Sequence, residues 1–362
     1  MRLMRSLASL QGLALAALLS ACAAGPVDDT VRGDLVFPEP PDEARFIFDT
    51  TLISTAQVTR VEGSNRLRMM VTGENLRGQT LPKPFDVAVC RGRIYVSDTV
   101  AGRVFVFDPV EGRSFEIGDR RPGALAKPMG LATDRDCNLY VADISQSRVV
   151  IYDRDGNYLT ALGGSEAFER LSYVAVDAVG ERVYAVDTGG VSSRDHRVRV
   201  FDRLSGDHLF DIGTRGREAG EFNLPRGIAV APDGTVYVVD SANFRVQAFD
   251  RDGEFLHSFG SLGRQMGQFS RPKGIAVDPE GRVYVADTSF GNFQIFDDEG
   301  QLLLFIGDRG TQGGPAQYML PNGIAVDEDG RIYLVDQFFS KVDIYRPAAL
   351  ARTDGHLGAW FR

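Results

Sequence analysis

Pro225-Arg226-Gly227-Ile228-Ala229-Val230, Pro272-Lys273-Gly274-Ile275-Ala276-Val277 and Pro321-Asn322-Gly323-Ile324-Ala325-Val326 are successive copies of one phrase, and their spacing decides the fold. Each copy runs into a polar turn such as Asp278-Pro279-Glu280-Gly281, then a strand-like run such as Val283-Tyr284-Val285-Ala286-Asp287. A tight turn follows, then a segment like Val246-Gln247-Ala248-Phe249-Asp250 and an outer run like Phe255-Leu256-His257-Ser258-Phe259-Gly260. The unit is four short β-branched and aromatic runs separated by Gly and Asp turns, with no helical period in it. From Lys83 onward this unit recurs with a period in the forties, the range of solenoids and propellers.

A single four-stranded sheet of this size cannot bury both of its faces, whereas sheets stacked radially around an axis can. The aspartate closing the second run gives the number of sheets: Asp98, Asp143, Asp187, Asp240, Asp287 and Asp336. The expectation is an all-β, six-bladed propeller over residues 44–347. Its last blade lacks a fourth strand, because residues 348–362 show no strand pattern. The strand-like run Ala44 to Ile53 supplies one from the N-terminal side and closes the ring, which removes open edges.

The repeats resemble the NHL family, and the resemblance extends over the whole stretch from about Ala44 to Pro347. The proline-rich approach from Pro38 to Pro41, the run Val71-Thr72-Gly73-Glu74 and the turn Phe290-Gly291-Asn292 look like a bacterial lipoprotein subfamily of such propellers. That resemblance implies an envelope protein that often accompanies multihaem cytochromes and has no assigned reaction. Asp86 and Tyr173 depart from the pattern, standing where the other copies have glycine, and blade 3 carries extra residues in its second turn.

The N-terminus fits the same compartment. Arg2 and Arg5 precede an apolar run from Leu7 to Leu19 that is too short to span a membrane and reads as a secretory signal. Leu19-Ser20-Ala21-Cys22 resembles a lipobox, which implies removal of residues 1–21, a lipid on Cys22 and attachment to the outer membrane; the alternative is an ordinary signal peptide. Residues 22–43, with Gly25, Pro26, Pro38, Pro40 and Pro41, read as an extended tether. Loss of Arg2 and Arg5 moves the net charge from −9 to −11, which argues against nucleic acid as a partner. After Cys22 only Cys90 and Cys137 remain, in matching turns of blades 1 and 2. The oxidising envelope permits a bridge between them, and two separate buried thiols are the other reading.

No catalytic constellation is visible, and the chain is read as a binding module rather than an enzyme. No metal or cofactor is expected. Of its four histidines only His196 lies on the face where the strand 2–3 and strand 4–1 connections meet, so three convergent ligands for a zinc are missing. The entry positions of the inner strands, Phe85, Met129, Ser172, Arg226, Lys273 and Asn322, form no ligand set either. The six strand-end aspartates read as scaffold, accepting backbone N–H groups of adjoining turns, with nearby Arg103, Arg148, Arg197, Arg245 and Lys341 as pairing partners. The candidate binding face gathers Phe244, Phe290, Phe338 and Phe339 at turn tips, Arg226 and Lys273 inward of them, and Arg194 with His196 in the blade 3 insertion. An apolar cluster with a polar rim marks a protein-binding site, so an envelope protein is the expected partner. A metal-dependent hydrolase or lyase at the channel mouth, and a small-ligand or glycan binder, are the alternatives.

Overall fold

The protein was analysed as a computed structural model that describes residues 34–60, 78–177 and 181–361. The signal sequence, Cys22, most of the expected tether and the run Val71 to Glu74 lie outside the described residues; residues 55–72, ambiguous in the sequence, open with a short 3-10 turn at Thr55–Gln57 and are described only to Arg60. Six antiparallel sheets are arranged as blades, with strands in sequence order from the axis outward in the first five, while the sixth takes its outer strands from the N-terminal side. Blade 4 shows the unit: Pro225–Val230, Val236–Asp240, Arg245–Phe249 and Phe255–Phe259. The inner strands of the other blades are Pro84–Cys90, Pro128–Thr133, Leu171–Val176, Pro272–Val277 and Pro321–Val326.

Side chains alternate between the two faces of each blade and pack against the blades on either side. Tyr237, Val239, Phe259 and Phe269 thus meet Ile275, Val283 and Phe296 in one buried cluster between blades 4 and 5. The glycines of the repeated phrase sit where inner strands approach most closely. A Cβ on Gly227 would lie 2.3 Å from the Lys273 carbonyl oxygen, and one on Gly274 would lie 2.0 Å from that of Asn322. Only a residue without a side chain fits there.

Ring closure follows the sequence expectation and goes beyond it. Phe46–Leu52 pairs antiparallel with Lys341–Pro347, and Val36–Phe37 adds a fifth strand outside it. Val36 and Phe37, expected within an extended tether, are therefore part of the closing sheet. Buried Asp49 fastens the joint: Arg346 Nε lies 2.9 Å from its Oδ1 and Arg331 Nε 3.5 Å from its Oδ2. Residues 348–361 are likewise not a loose tail. Leu357 is fully buried in the cluster shared by blades 1 and 6, with Trp360 packed against it. The His356 backbone N–H donates to Asp329 at 2.6 Å.

Cys90 and Cys137 are joined, with their Cα atoms 5.6 Å apart, which links blade 1 to blade 2 on the side opposite the candidate face. All six strand-end aspartates are fully buried. Asp287 accepts from the N–H groups of Ser270, Arg271, Ser289 and Phe290, and Asp336 from those of Met319, Leu320, Phe338 and Phe339. These carboxylates tie the connection entering their blade to the turn after their own strand, so both sets of loops share one face. The expected basic partners are mostly engaged elsewhere. Arg245 reaches Asp240 at 2.9 Å and Arg197 lies 3.7 Å from Asp187, but Arg103 pairs with Glu116 and Lys341 with Asp343.

Candidate functional site

The mouth of the central channel opens on this loop face, and a local irregularity in every blade shapes it. Pro225 pairs with Asp240, but the next pair is Ile228 with Val238, so Arg226 and Gly227 together oppose Val239. The same offset places Lys273 in blade 5, Asn322 in blade 6 and Met129 in blade 2 within bulges. A bulge re-aims its side chains, and here it sets one residue per blade at the mouth.

Tyr173 gives the mouth a floor. Standing where other copies have glycine, it sends its ring across the axis from blade 3, and its hydroxyl accepts from Asn322 Nδ2 of blade 6 at 3.0 Å. Phe85 of blade 1 packs against it at 5.6 Å between ring centroids, and the Phe85 carbonyl accepts from the same Asn322 amide at 2.7 Å. Beyond this plug the inner strands line an open recess of about 160 Å³ bounded by Val87, Leu131, Ile228 and their equivalents. Asp86, the other departure from glycine, is buried beside the plug with only backbone donors, Leu131 N–H at 2.9 Å among them. Burial pushes its carboxyl up to about 7.

Arg226 and Lys273 form the cationic wall of the mouth. Neither pairs with a carboxylate or donates a hydrogen bond among the described residues. Partial burial lowers the Arg226 guanidinium from its ordinary range. Burial, helped by neighbouring Arg271 and Arg226, brings the Lys273 ammonium down to about 8. Asn322 Oδ1, in the floor, is buried without a partner.

The remaining candidates separate. His196 is fully buried: its Nε2 donates to the Gly190 carbonyl at 2.9 Å, and its Nδ1 accepts from the Leu224 N–H at 3.2 Å. It folds the blade 3 insertion against the next connection, so placing it on the binding surface was wrong. Phe244, in left-handed backbone, packs its ring against the cluster between blades 4 and 5, and Phe290 is half-buried. Phe339 is half-buried against Gly313, while Phe338 stacks edge-on against it at 5.0 Å and stays 58% exposed. The aromatic cluster thus reduces to Phe338. Arg194 is exposed at the tip of its insertion.

Exposed apolar residues on the same face were missed, among them Val191 at 75%, Val100 at 68%, Leu262 at 64% and Met266 at 44%. Their signal was an apolar residue among glycines and arginines, as in Ser261-Leu262-Gly263-Arg264. Among the described residues no three His, Cys, Asp or Glu side chains converge to hold a metal.

Residues 172–306 match the model of the SMP-30/gluconolactonase/LRE-like region. Residues 277–346 match a six-bladed β-propeller model. A segment of 52 residues, 14% of the chain, is 40% identical to tripartite motif-containing protein 2 of Bos taurus and spans 7% of that protein. Among solved structures, a gluconolactonase from Xanthomonas campestris superposes with a TM-score of 0.54 at 19% identity, over 74% of this chain and 86% of that one. A streptogramin B lyase superposes with a TM-score of 0.55 at 13% identity, over 74% and 95%. At these identities the superpositions establish the fold alone. The match of residues 172–306 to a model named for a lactonase nevertheless overturns the expectation that the chain is not an enzyme.

Proposed function

We propose that this propeller docks an acidic envelope protein on its loop face, with the chain held at the membrane through a lipid on Cys22. The supporting observation is the composition of that face. Val191, Leu262 and Phe338 stand out from the loops of blades 3 to 6, and exposed Arg194, Arg215, Arg217 and Arg264 surround them. The opposite face is the inverse: its turns carry Asp153, Asp155, Asp250, Asp252, Asp297, Asp298 and Glu299 in a chain of net charge −9. Charge so divided steers one end of the molecule toward an acidic partner, and exposed apolar anchors hold it there. The resemblance to envelope lipoprotein propellers makes a multihaem cytochrome the first partner class to test.

Changing both Leu262 and Phe338 to Ser should leave the melting temperature within about 2 °C of the parent and abolish co-purification of the partner from native membranes. Undiminished recovery with the double variant would contradict the docking surface. Cys22→Ala protein should move from the membrane pellet to the soluble fraction, and its retention in the pellet would place the anchor elsewhere.

The lactonase match favours a second reading, hydrolysis or lyase chemistry at the channel mouth. Saturable turnover of a lactone panel with and without divalent ions, lost on Lys273→Met, supports it.

A further inference from the structure

The mouth contains an arrangement that protein docking on the loop tips does not use. Two neighbouring blades place a cation at the same bulge position, Arg226 and Lys273, and their strands touch at the Gly227–Lys273 contact. Both side chains are half-buried, and neither makes an ion pair or a hydrogen bond among the described residues. Other burials of cations in this protein are compensated: Arg93 is held by Asp108 at 2.6 Å, and Lys341 by Asp343 at 2.7 Å. Withdrawing two like charges from water side by side is unfavourable unless something answers them. Arg271, two residues before Lys273 at the entry of the same strand, adds a third positive charge at the rim.

The floor supplies a donor. The Tyr173 hydroxyl accepts from Asn322 Nδ2, and its own proton has no acceptor among the described residues. It lies close enough to Arg226 for the two to interact electrostatically. Two cations and a hydroxyl donor around a recess match the oxygens of a small oxyanion, where charge-assisted hydrogen bonds are strongest. Arg226 offers a planar fork and Lys273 a point charge, the usual division for a carboxylate or phosphate.

We propose that the channel mouth binds a small oxyanion, a carboxylate or a phosphate group, between Arg226, Lys273 and the Tyr173 hydroxyl. The recess is set below the loop tips, so the site belongs to a small molecule and stands whether or not the loop face docks a protein.

A thermodynamic signature follows. The charged groups facing Lys273 are Arg226 from blade 4, Arg271 on its own strand and Asp336 from blade 6. Burial, helped by the two arginines, holds its ammonium near 8, so an entering anion raises that value and the protein takes up a proton on binding at pH 8.5.

Isothermal titration of the purified protein at low salt, with inorganic phosphate, sulfate, acetate and malate in separate arms, tests this. Phosphate arms stronger than the carboxylate arms would assign the ligand to phosphate compounds, and the reverse to organic acids. The expected result is saturable binding to at least one class, with heats that depend on the buffer's ionisation enthalpy at pH 8.5. Lys273→Met should abolish the proton uptake and weaken binding at least tenfold, and Arg226→Gln should weaken binding and reduce the uptake without abolishing it. Tyr173→Phe keeps the plug and should weaken binding several-fold. Saturation absent in every arm, or binding unchanged in Lys273→Met, overturns the proposal. Because no partner protein is present, neither result bears on the docking surface.

Discussion

Asp86 and Tyr173 show how much a single departure from a repeat can decide. Where other blades place glycine so that inner strands can touch, these two side chains enter the channel instead, one buried beside the plug and one forming it. The departures themselves are readable in the sequence. Their consequence is not, because it depends on blades 3 and 6 standing opposite each other, which brings Tyr173 to Asn322 across 149 residues of chain. Ring direction is equally hidden. Phe244 and Phe338 occupy equivalent turns, yet one packs inward against the blade 4–5 cluster and the other is exposed. Asp86 also carries a pH signature. Its folded value of about 7 lies above the ordinary 3.8, so between these limits the folded protein holds a proton that the unfolded chain has released. The stability it contributes is full below pH 4 and is lost as pH rises through 7. Asp86→Asn, which still offers an oxygen to the Leu131 N–H, should therefore be the more stable form at pH 8 by roughly 4 kcal/mol and match the parent at pH 4. Equal urea midpoints for the two proteins at pH 8 would show that Asp86 is not held neutral.

Among the elements, the strand Phe46–Leu52 governs the ring. The sequence revealed it because blade 6 ran out of strands while the N-terminal side had one to spare, an argument that needs only the repeat count. What fixes the strand was less visible. Asp49 sits mid-strand, buried, answering Arg331 and Arg346 from blade 6 and Arg352 from the C-terminal segment. Residues far apart in the chain meet there, and no local pattern announces the meeting. Removing one member of a buried ionic cluster leaves the others uncompensated, which costs about 3 kcal/mol or more. Asp49→Ala should accordingly lower the urea midpoint and expose Phe46–Leu52 to early hydrogen exchange. An unchanged midpoint would mean that strand pairing alone closes the ring. The C-terminal segment, which shows no strand pattern, is ordered for a related reason: Leu357 and Trp360 complete the core that blades 1 and 6 share with this strand.

At the scale of the molecule, the six sheets fix which loops share a face, and the sequence then distributes charge between the two ends. Repetition made the architecture legible, since every copy restates the same alternation and the same strand-end aspartate. A binding face has no such redundancy. It is assembled from single residues in different loops, such as Val191, Leu262 and Phe338, and only their exposure distinguishes them from core side chains of the same type. The opposite face supplies an internal control in Leu204, 81% exposed in the strand 3–4 turn of blade 3. Site-specific photo-crosslinking in native membranes therefore tests the account most directly, with a photoreactive residue at position 338 in one protein and at position 204 in another. The account predicts a discrete crosslinked partner from position 338 and none from position 204. A partner captured from position 204 and not from 338 would place the working surface on the acidic face and contradict it.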